Sequence, residues 1–404
     1  MAIRRRPEDF LVVERLGTAA TSRLRAEPAP AHAHAVYRLE KTSLTTPEAT
    51  TQLARALGLG PSAVEHAGLK DKHARTVQHL SAALPTIAQA FRAPALLTAQ
   101  AWTATRLGFL DRHLRAADID ANAFDLLVTD LSTAAAAEMH RRAALLAATE
   151  HPGDLLVLNY FGDQRFGSAR HGQGFAARAL IAGDFETALR LLIATPARKD
   201  SGPRRTLTRA CAAHWGDFAR ALAETPRCPE RRALETLAAG GSFQDAFVAL
   251  PHLLQQLCVE AYQSFLFNRV AAESVAGLAS PDTLHADDDF GAMLFPPAAA
   301  VPASWHGVSV PLPGPDAAPD PHVAPALQRV LADEGLTLEA LRIPGLRRPA
   351  FGTALRPLIV RASRFTIAPP EPDPIAGGRR VKLRVGFELP RGAYATVVLR
   401  ALGQ

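Results

Sequence analysis

The segment "EHAGLKDKHARTVQHLSA" (Glu65 to Ala82) places one carboxylate, Asp71, between Lys70 and Lys72, with Arg75 close behind. An aspartate among cations stays ionised at neutral pH, because each positive neighbour favours its charged form. Such a carboxylate can attack a sugar or a base as a nucleophile, or take a proton from a sugar. A surface turn with balanced charges has the same composition. A second segment, "NYFGDQRFG", sets Tyr160, Phe161 and Phe166 beside Asn159, Gln164 and Arg165. Rings that stack on a base, an amide that reads its edge and a cation that holds phosphate are what a nucleobase pocket needs. A well-packed turn with both phenylalanines in the core is the competing reading.

Other chemistries find little support. There is no GxxxxGK[ST] phosphate loop and no HExxH zinc motif, and the "GGSF" at Gly240 is no dinucleotide fingerprint. His32 and His34 stand two apart in an Ala/Pro loop, a poor metal pair. "LHADDD" (Leu284 to Asp289) reads as a solvated acidic loop, since three adjacent side chains do not converge on a cation. Cys211, Cys228 and Cys258 are too widely spaced for a structural zinc site and read as buried free thiols of a reducing compartment.

The elements that must carry these residues follow from pattern. "DFLVVERL" and "AVYRLEKT" are β-rich. "TTPEATTQLARALGLG" starts as a helix, with Thr46 as cap, Pro47 in the first turn and Glu48 at the positive end, and exits at Gly58. "ARTVQHLSA" is a strand, so Asp71 falls in a loop between helix and strand. "NAFDLLVTDL" is a further strand, "STAAAAEMHRRAALLAATE" a helix capped by Ser132, and "HPGDLLVLNYFGDQRFG" a glycine-bearing loop. From about Gly174 to Leu341 helical periodicity dominates, as in Leu250, Leu253, Leu254, Leu257, Ala261, Phe265 and Val270. "RPLIVRAS" and "VKLRVGFEL" restore strand character, the latter alternating strictly, and "AYATVVLRAL" follows.

With 404 residues, 48% of them hydrophobic and 21% charged, the chain can bury a full core as one large or two ordinary domains. A net charge of +6 is compatible with a nucleic-acid partner. Arginine clusters at Arg4 to Arg6, 141–142, 204–205, 231–232, 347–348 and 379–380 have two readings, a basic face gathered by folding or an ordinary solvated surface rich in arginine. No apolar run is long enough for a membrane span and no signal-peptide core follows the basic N-terminus, so a cytoplasmic location is expected.

Six pieces in order, "PEDFLVVE", "AGLKDKHARTVQ", "NYFGDQRFG", "SFLFNRV", "RRPAFGTALRPLIVR" and "LPRGAYATVVLR", resemble the motifs of the TruD family of pseudouridine synthases. The resemblance implies an α+β fold. Its pseudouridine synthase-like catalytic domain, with a mixed, largely antiparallel sheet, is formed by residues 1–167 and 350–404. A mostly helical insertion domain, residues 168–349, interrupts it. The implied reaction detaches a uridine base from C1′ at N1, rotates it and rejoins it through C5, with no metal or cofactor. The implied substrate is tRNA, most typically uridine 13; a monomer is expected, although no residue pattern reads out the oligomeric state. By the same resemblance Asp71 is the nucleophile, Lys70 or Lys72 the basic residue beside it, and Phe10, Asn159, Phe161 and Tyr394 the substrate pocket. The last of these is often a phenylalanine in the family. Glu14 matches the acid of the first motif. A non-catalytic RNA-binding protein of the same fold is the alternative, and the presence of Asp71 speaks against it.

Overall fold

The computed structural model describes residues 5–169, 171–197, 200 and 202–404, and only the main chain of Asp288; Arg4 of the first arginine cluster therefore lies outside the described residues. The chain divides into two compact units, Met1–Val157 with Val360–Gln404, and Leu158–Ile359. The second is wider at both ends than the insertion expected over residues 168–349.

The first unit contains β1 (Phe10–Leu16), β2 (His34–Thr42), β3 (Val64–His66), β4 (Arg75–Ala83), β5 (Leu96–Ala99), β6 (Trp102–Leu110) and β7 (Ile119–Leu131). β8 (Leu155–Leu158) follows the helix Thr133–Leu146. The second unit holds two small two-stranded sheets: the hairpin of β9 (Leu284–Asp288) with β10 (Gly291–Phe295), and the pairing of β11 (Ser309–Pro311) with the distant β12 (Leu355–Pro357). β13 (Ile359–Ile367), β14 (Glu371–Pro372) and β15 (Val381–Pro390) complete the large sheet, whose order is β5-β6-β2-β4-β1-β7-β15-β13-β8.

β1 and β4 run parallel, whereas β2 pairs antiparallel with β4 and β6, and β7 antiparallel with β1 and β15. The sheet is thus mixed and largely antiparallel, within an α+β fold. In β15 the alternation behaves as the sequence dictates: Leu383, Val385, Phe387 and Leu389 are buried while Arg384 is exposed.

Beneath the helix Thr46–Ala56 lies a core of Tyr37, Leu39, Leu53, Leu80, Trp102 and Phe109. Each such side chain contributes roughly 1.5–3 kcal/mol on burial. This packing fixes the helix on the sheet, and so fixes the chain that runs from the helix through β3 to β4. The helix cap is Thr45, not Thr46: Thr45 Oγ1 accepts from Glu48 N at 3.3 Å, and Glu48 Oε2 accepts from Thr45 N at 2.9 Å. Gly58 ends it at φ +69, in the left-handed region.

Three local expectations are corrected. "LHADDD" is not a loop, because Leu284–Asp288 pairs with Gly291–Phe295 as a hairpin strand. Part of "HPGDLLVLNYFGDQRFG" is β8 and part is the 3-10 turn Asp163–Ala169. "AYATVVLRAL" forms a helix, Ala395–Ala401, because Ala395, Val398, Leu399 and Leu402 bury one helical stripe that its β-branched residues disguise.

The second unit is mostly helical, around the long helix His252–Val275. Its middle is buried almost all round, with Gln255, Gln263 and Ser264 inside among the apolar residues. The leucine stripe proposed from sequence holds at buried Leu250 but fails at Leu253 and Leu257, which are exposed.

Candidate active site

Asp71 occupies the loop that joins β3 to β4, and both of its neighbours in the sheet reach it. β2 lies beside β4 with Lys41 opposite Thr76, and β1 lies on the other side with Leu11 opposite Arg75. The loop is held at three points over two residues. Thr46 Oγ1, freed from capping, accepts from Lys70 N at 3.0 Å and donates to Gln78 Oε1 at 3.0 Å. Lys70 Nζ meets Glu14 Oε2 at 2.7 Å and donates to Asn122 Oδ1 at 2.8 Å. Lys41 Nζ donates to the Asp71 carbonyl at 3.1 Å and to the Leu44 carbonyl at 2.6 Å.

Glu14 and Asn122 face one another across β1 and β7 by register, which explains why one ammonium reaches both. Glu14 is 2% exposed, at a position in phase with buried Phe10 and Val12. Its Oε1 accepts from His79 N at 2.9 Å and lies 3.1 Å from His79 Nδ1. The Lys70–Glu14 contact, at 2.7 Å, is a buried ion pair. Burial pushes the Glu14 carboxyl up, but the His79 hydrogen bonds and the Lys70 charge outweigh it and hold the carboxyl below its ordinary value. Burial pushes the Lys41 ammonium down to about 8; Lys70 adds to the fall, and Asp71 and Glu48 oppose it.

Three other side chains of the loop turn outward, whereas Ala67 and Ala74 at its ends are buried. Lys72 and His73 are exposed, and Leu69 is 69% exposed, unusual for a leucine. Phe10 is buried on β1, edge-on to Phe124 at 6.4 Å, and Phe124 meets Phe387 at 5.4 Å. Tyr394 is half-buried at the N-cap of the helix Ala395–Ala401.

Asn159 and Phe161 belong to the second unit, and Arg356 joins them. Arg356 Nε donates to the Asn159 carbonyl at 2.9 Å, and its Nη2 donates to Asn159 Oδ1 at 2.6 Å. The guanidinium lies 4.2 Å from the Phe161 ring centroid. Asn159 Nδ2 donates to the Pro357 carbonyl at 3.0 Å, so both ends of its amide are engaged within the protein. Asn268, from the long helix, grips the Phe161 main chain at both ends: Phe161 N donates to its Oδ1 at 2.7 Å, and its Nδ2 donates to the Phe161 carbonyl at 3.0 Å. Phe161 and Phe166 are both buried, as the packed-turn reading requires, and so is Tyr160.

Sequence reasoning missed Lys41, Thr46, Asn122, Asn268 and Arg356 as parts of these two assemblies. Asn268 and Arg356 stand inside "SFLFNRV" and "RRPAFGTALRPLIVR", so the motifs held the signal without saying what it did. Several paired arginines serve local structure: Arg141 and Arg142 pair with Glu138, Arg204 with Glu230, Arg231 with Glu235 and Arg380 with Asp130. Among the described residues no helix is long and apolar enough to cross a membrane.

Comparisons with known proteins bear on the family and the fold. The family model "tRNA pseudouridine synthase D (TruD)" matches residues 1–291 and 299–402. The tRNA pseudouridine synthase D of Geobacter metallireducens is 31% identical over 382 residues, covering 91% of this chain and 88% of that one. Its counterpart from Aquifex aeolicus is 27% identical over 381 residues, covering 91% of each. The crystal structure of a "Putative tRNA pseudouridine synthase D (TruD)" from Methanosarcina mazei superposes with a TM-score of 0.69 at 23% identity. It covers 99% of this chain and 92% of that one, a likeness that carries the fold.

Proposed function

We infer the reaction from one premise, that this chain belongs to the TruD family of tRNA pseudouridine synthases. It is an isomerase that acts on tRNA. Within that activity, we propose that Asp71 is the nucleophile, that the target is uridine 13, and that the uridine is swung out of its stack to be reached. Unstacking a base costs a few kcal/mol, and a stacking ring returns about 1–3 kcal/mol.

The reaction balances without any other reactant. The N1–C1′ bond breaks with its electron pair on the base, the base turns, and a C5–C1′ bond forms. The C5 proton leaves and N1 takes one up. A carboxylate fits the nucleophile's part because it can form a bond to the nucleoside and then leave as an anion. Phe10, Phe161 and Tyr394 are the rings we assign to the uridine. Lys72, exposed beside Asp71, is assigned to phosphate. Lys70 is committed to Glu14 and Asn122, so we assign it to the loop rather than to the RNA. Asn159, engaged by Arg356 and Pro357, is likewise assigned to the shape of its own loop.

The observation that carries the proposal is the three-point anchoring of the Lys70–Asp71 main chain and side chain, which gives the carboxylate a fixed base. The test is tritium release from tRNA labelled at uridine C5, with carbodiimide mapping of the product. Asp71→Asn and Asp71→Ala are expected to abolish release while tRNA binding stays within about threefold, because the loss falls on the chemical step. Full activity in either variant refutes the assignment of Asp71. Product at a position other than 13 refutes the target.

A further inference from the structure

We infer that Lys41 is a positioning residue for Asp71: its buried ammonium fixes the main chain of the aspartate's loop, and through it the direction of the carboxylate. This rests on the reading of Asp71 as the nucleophile.

The placement begins in the strand. In β2 the buried residues Ala35, Tyr37 and Leu39 alternate toward the core beneath the helix Thr46–Ala56, and Lys41 continues that alternation at 1% exposure. A lysine there is a poor choice for stability. A well-packed apolar residue of similar volume commonly serves a fold as well or better than a buried ion. The charge is explained by what it holds. The ammonium donates to the Leu44 carbonyl at 2.6 Å, just before the helix, and to the Asp71 carbonyl at 3.1 Å, just before β4. It therefore ties the segment entering the helix to the loop that carries the nucleophile.

The bond goes to the Asp71 main chain and not to its carboxylate. With Lys70 N held by Thr46 and Asp71 O held by Lys41, the peptide that joins the two residues is fixed on both sides. The side-chain torsions of Asp71 then sweep from a set origin. The charged groups facing Lys41 are Asp71 and Lys70 from the loop and Glu48 from the first turn of the helix. Burial among them pushes the ammonium down to about 8, so it is charged at neutral pH and loses its proton in mild alkali.

The experiment measures the single-turnover rate of tritium release with excess enzyme, the tRNA dissociation constant and the melting temperature for wild type, Lys41→Met, Lys41→Arg and Asp71→Asn. Lys41→Met is expected to slow the chemical step about 10- to 100-fold, the scale of a misplaced reacting group. Its tRNA affinity and melting temperature should hold or, for the latter, rise. A purely structural lysine would instead lower the melting temperature along with the rate. Lys41→Arg, which keeps the charge, should recover part of the rate. The wild-type rate should carry a loss as pH rises through about 8 that is absent in Lys41→Arg.

A Lys41→Met rate within twofold of wild type overturns the inference, and so does a defect seen only in tRNA affinity. Should Lys41→Met fail to fold, Lys41→Gln decides: a chemical step within twofold of wild type, in a variant whose shorter amide cannot span to both carbonyls, overturns it. If Asp71→Asn turns over normally, the reading beneath the inference fails. If Asp71→Asn is dead and Lys41→Met is unimpaired, only the inference fails.

Discussion

Glu14→Gln offers a quantitative probe of the ions beneath the Asp71 loop. The wild-type carboxylate accepts from His79 N at 2.9 Å, contacts His79 Nδ1 at 3.1 Å and neutralises Lys70 at 2.7 Å. Its side chain is 1% exposed and that of Lys70 11%, so solvent screens the pair little. Removing one partner of a buried pair costs about 3–5 kcal/mol. Glutamine keeps an acceptor for His79 N, which returns about 1 kcal/mol. The expected loss at neutral pH is therefore roughly 2–4 kcal/mol, below a typical domain stability of about 5–15 kcal/mol, so the variant folds. Trp102 belongs to the first unit, with its indole donating to Gln52 at 2.7 Å, whereas Trp215 and Trp305 belong to the second. With the latter two replaced by phenylalanine, urea unfolding followed by fluorescence reports the first unit alone. With a slope of about 3 kcal/mol per molar, the midpoint should fall by about 1 M. The sign in acid is fixed by the carboxyl's lowered folded-state value. Its contribution is complete above the unfolded-state glutamate value, about 4.3, and is lost as pH falls through the folded value. The gap between wild type and variant must therefore close in acid. Equal midpoints at neutral pH, or a gap that widens as pH falls, refute the reading of Glu14 as the counter-ion of the loop.

Two further perturbations separate structure from chemistry. Arg356→Lys removes a planar fork that one ammonium cannot reproduce, and with it the bonds to Asn159. It should destabilise the second unit by about 2–3 kcal/mol and slow turnover. Unfolding followed by Trp215 and Trp305 checks it, and an unchanged midpoint and rate refute the clamp. Thr45→Ala should cost about 1 kcal/mol by loss of the helix cap, with the chemical step unchanged. Thr46→Val should cost about 1–3 kcal/mol by stranding Lys70 N and Gln78, and should slow the chemical step as well. The reverse pattern in single-turnover assays refutes the division of labour between the two threonines.

That division shows where sequence was legible and where it was not. Helix and strand follow from period alone where residue type and burial agree, as in β15 and the helix Thr46–Ala56. The adjacent threonines are chemically equivalent cap candidates, so pattern could not tell which one capped. Only the fold decides, because Thr46 alone comes within reach of Lys70 N. Glu14 and Lys41 are a different case. Type says solvent for both, whereas phase says core, since Glu14 follows Phe10 and Val12 and Lys41 follows Tyr37 and Leu39. Strand prediction counts such residues as noise in an otherwise good alternation. Yet a charge that stays in phase with a core can be tolerated only where partners meet it, and here each partner leads to the chain around Asp71. The disagreement between type and phase thus belongs to the amino-acid order of β1 and β2 themselves. It marks the ions that hold the loop, as "KDK" marks the loop itself. Distances across strands, which join Glu14 to Asn122 and Lys41 to Asp71, were the missing quantity.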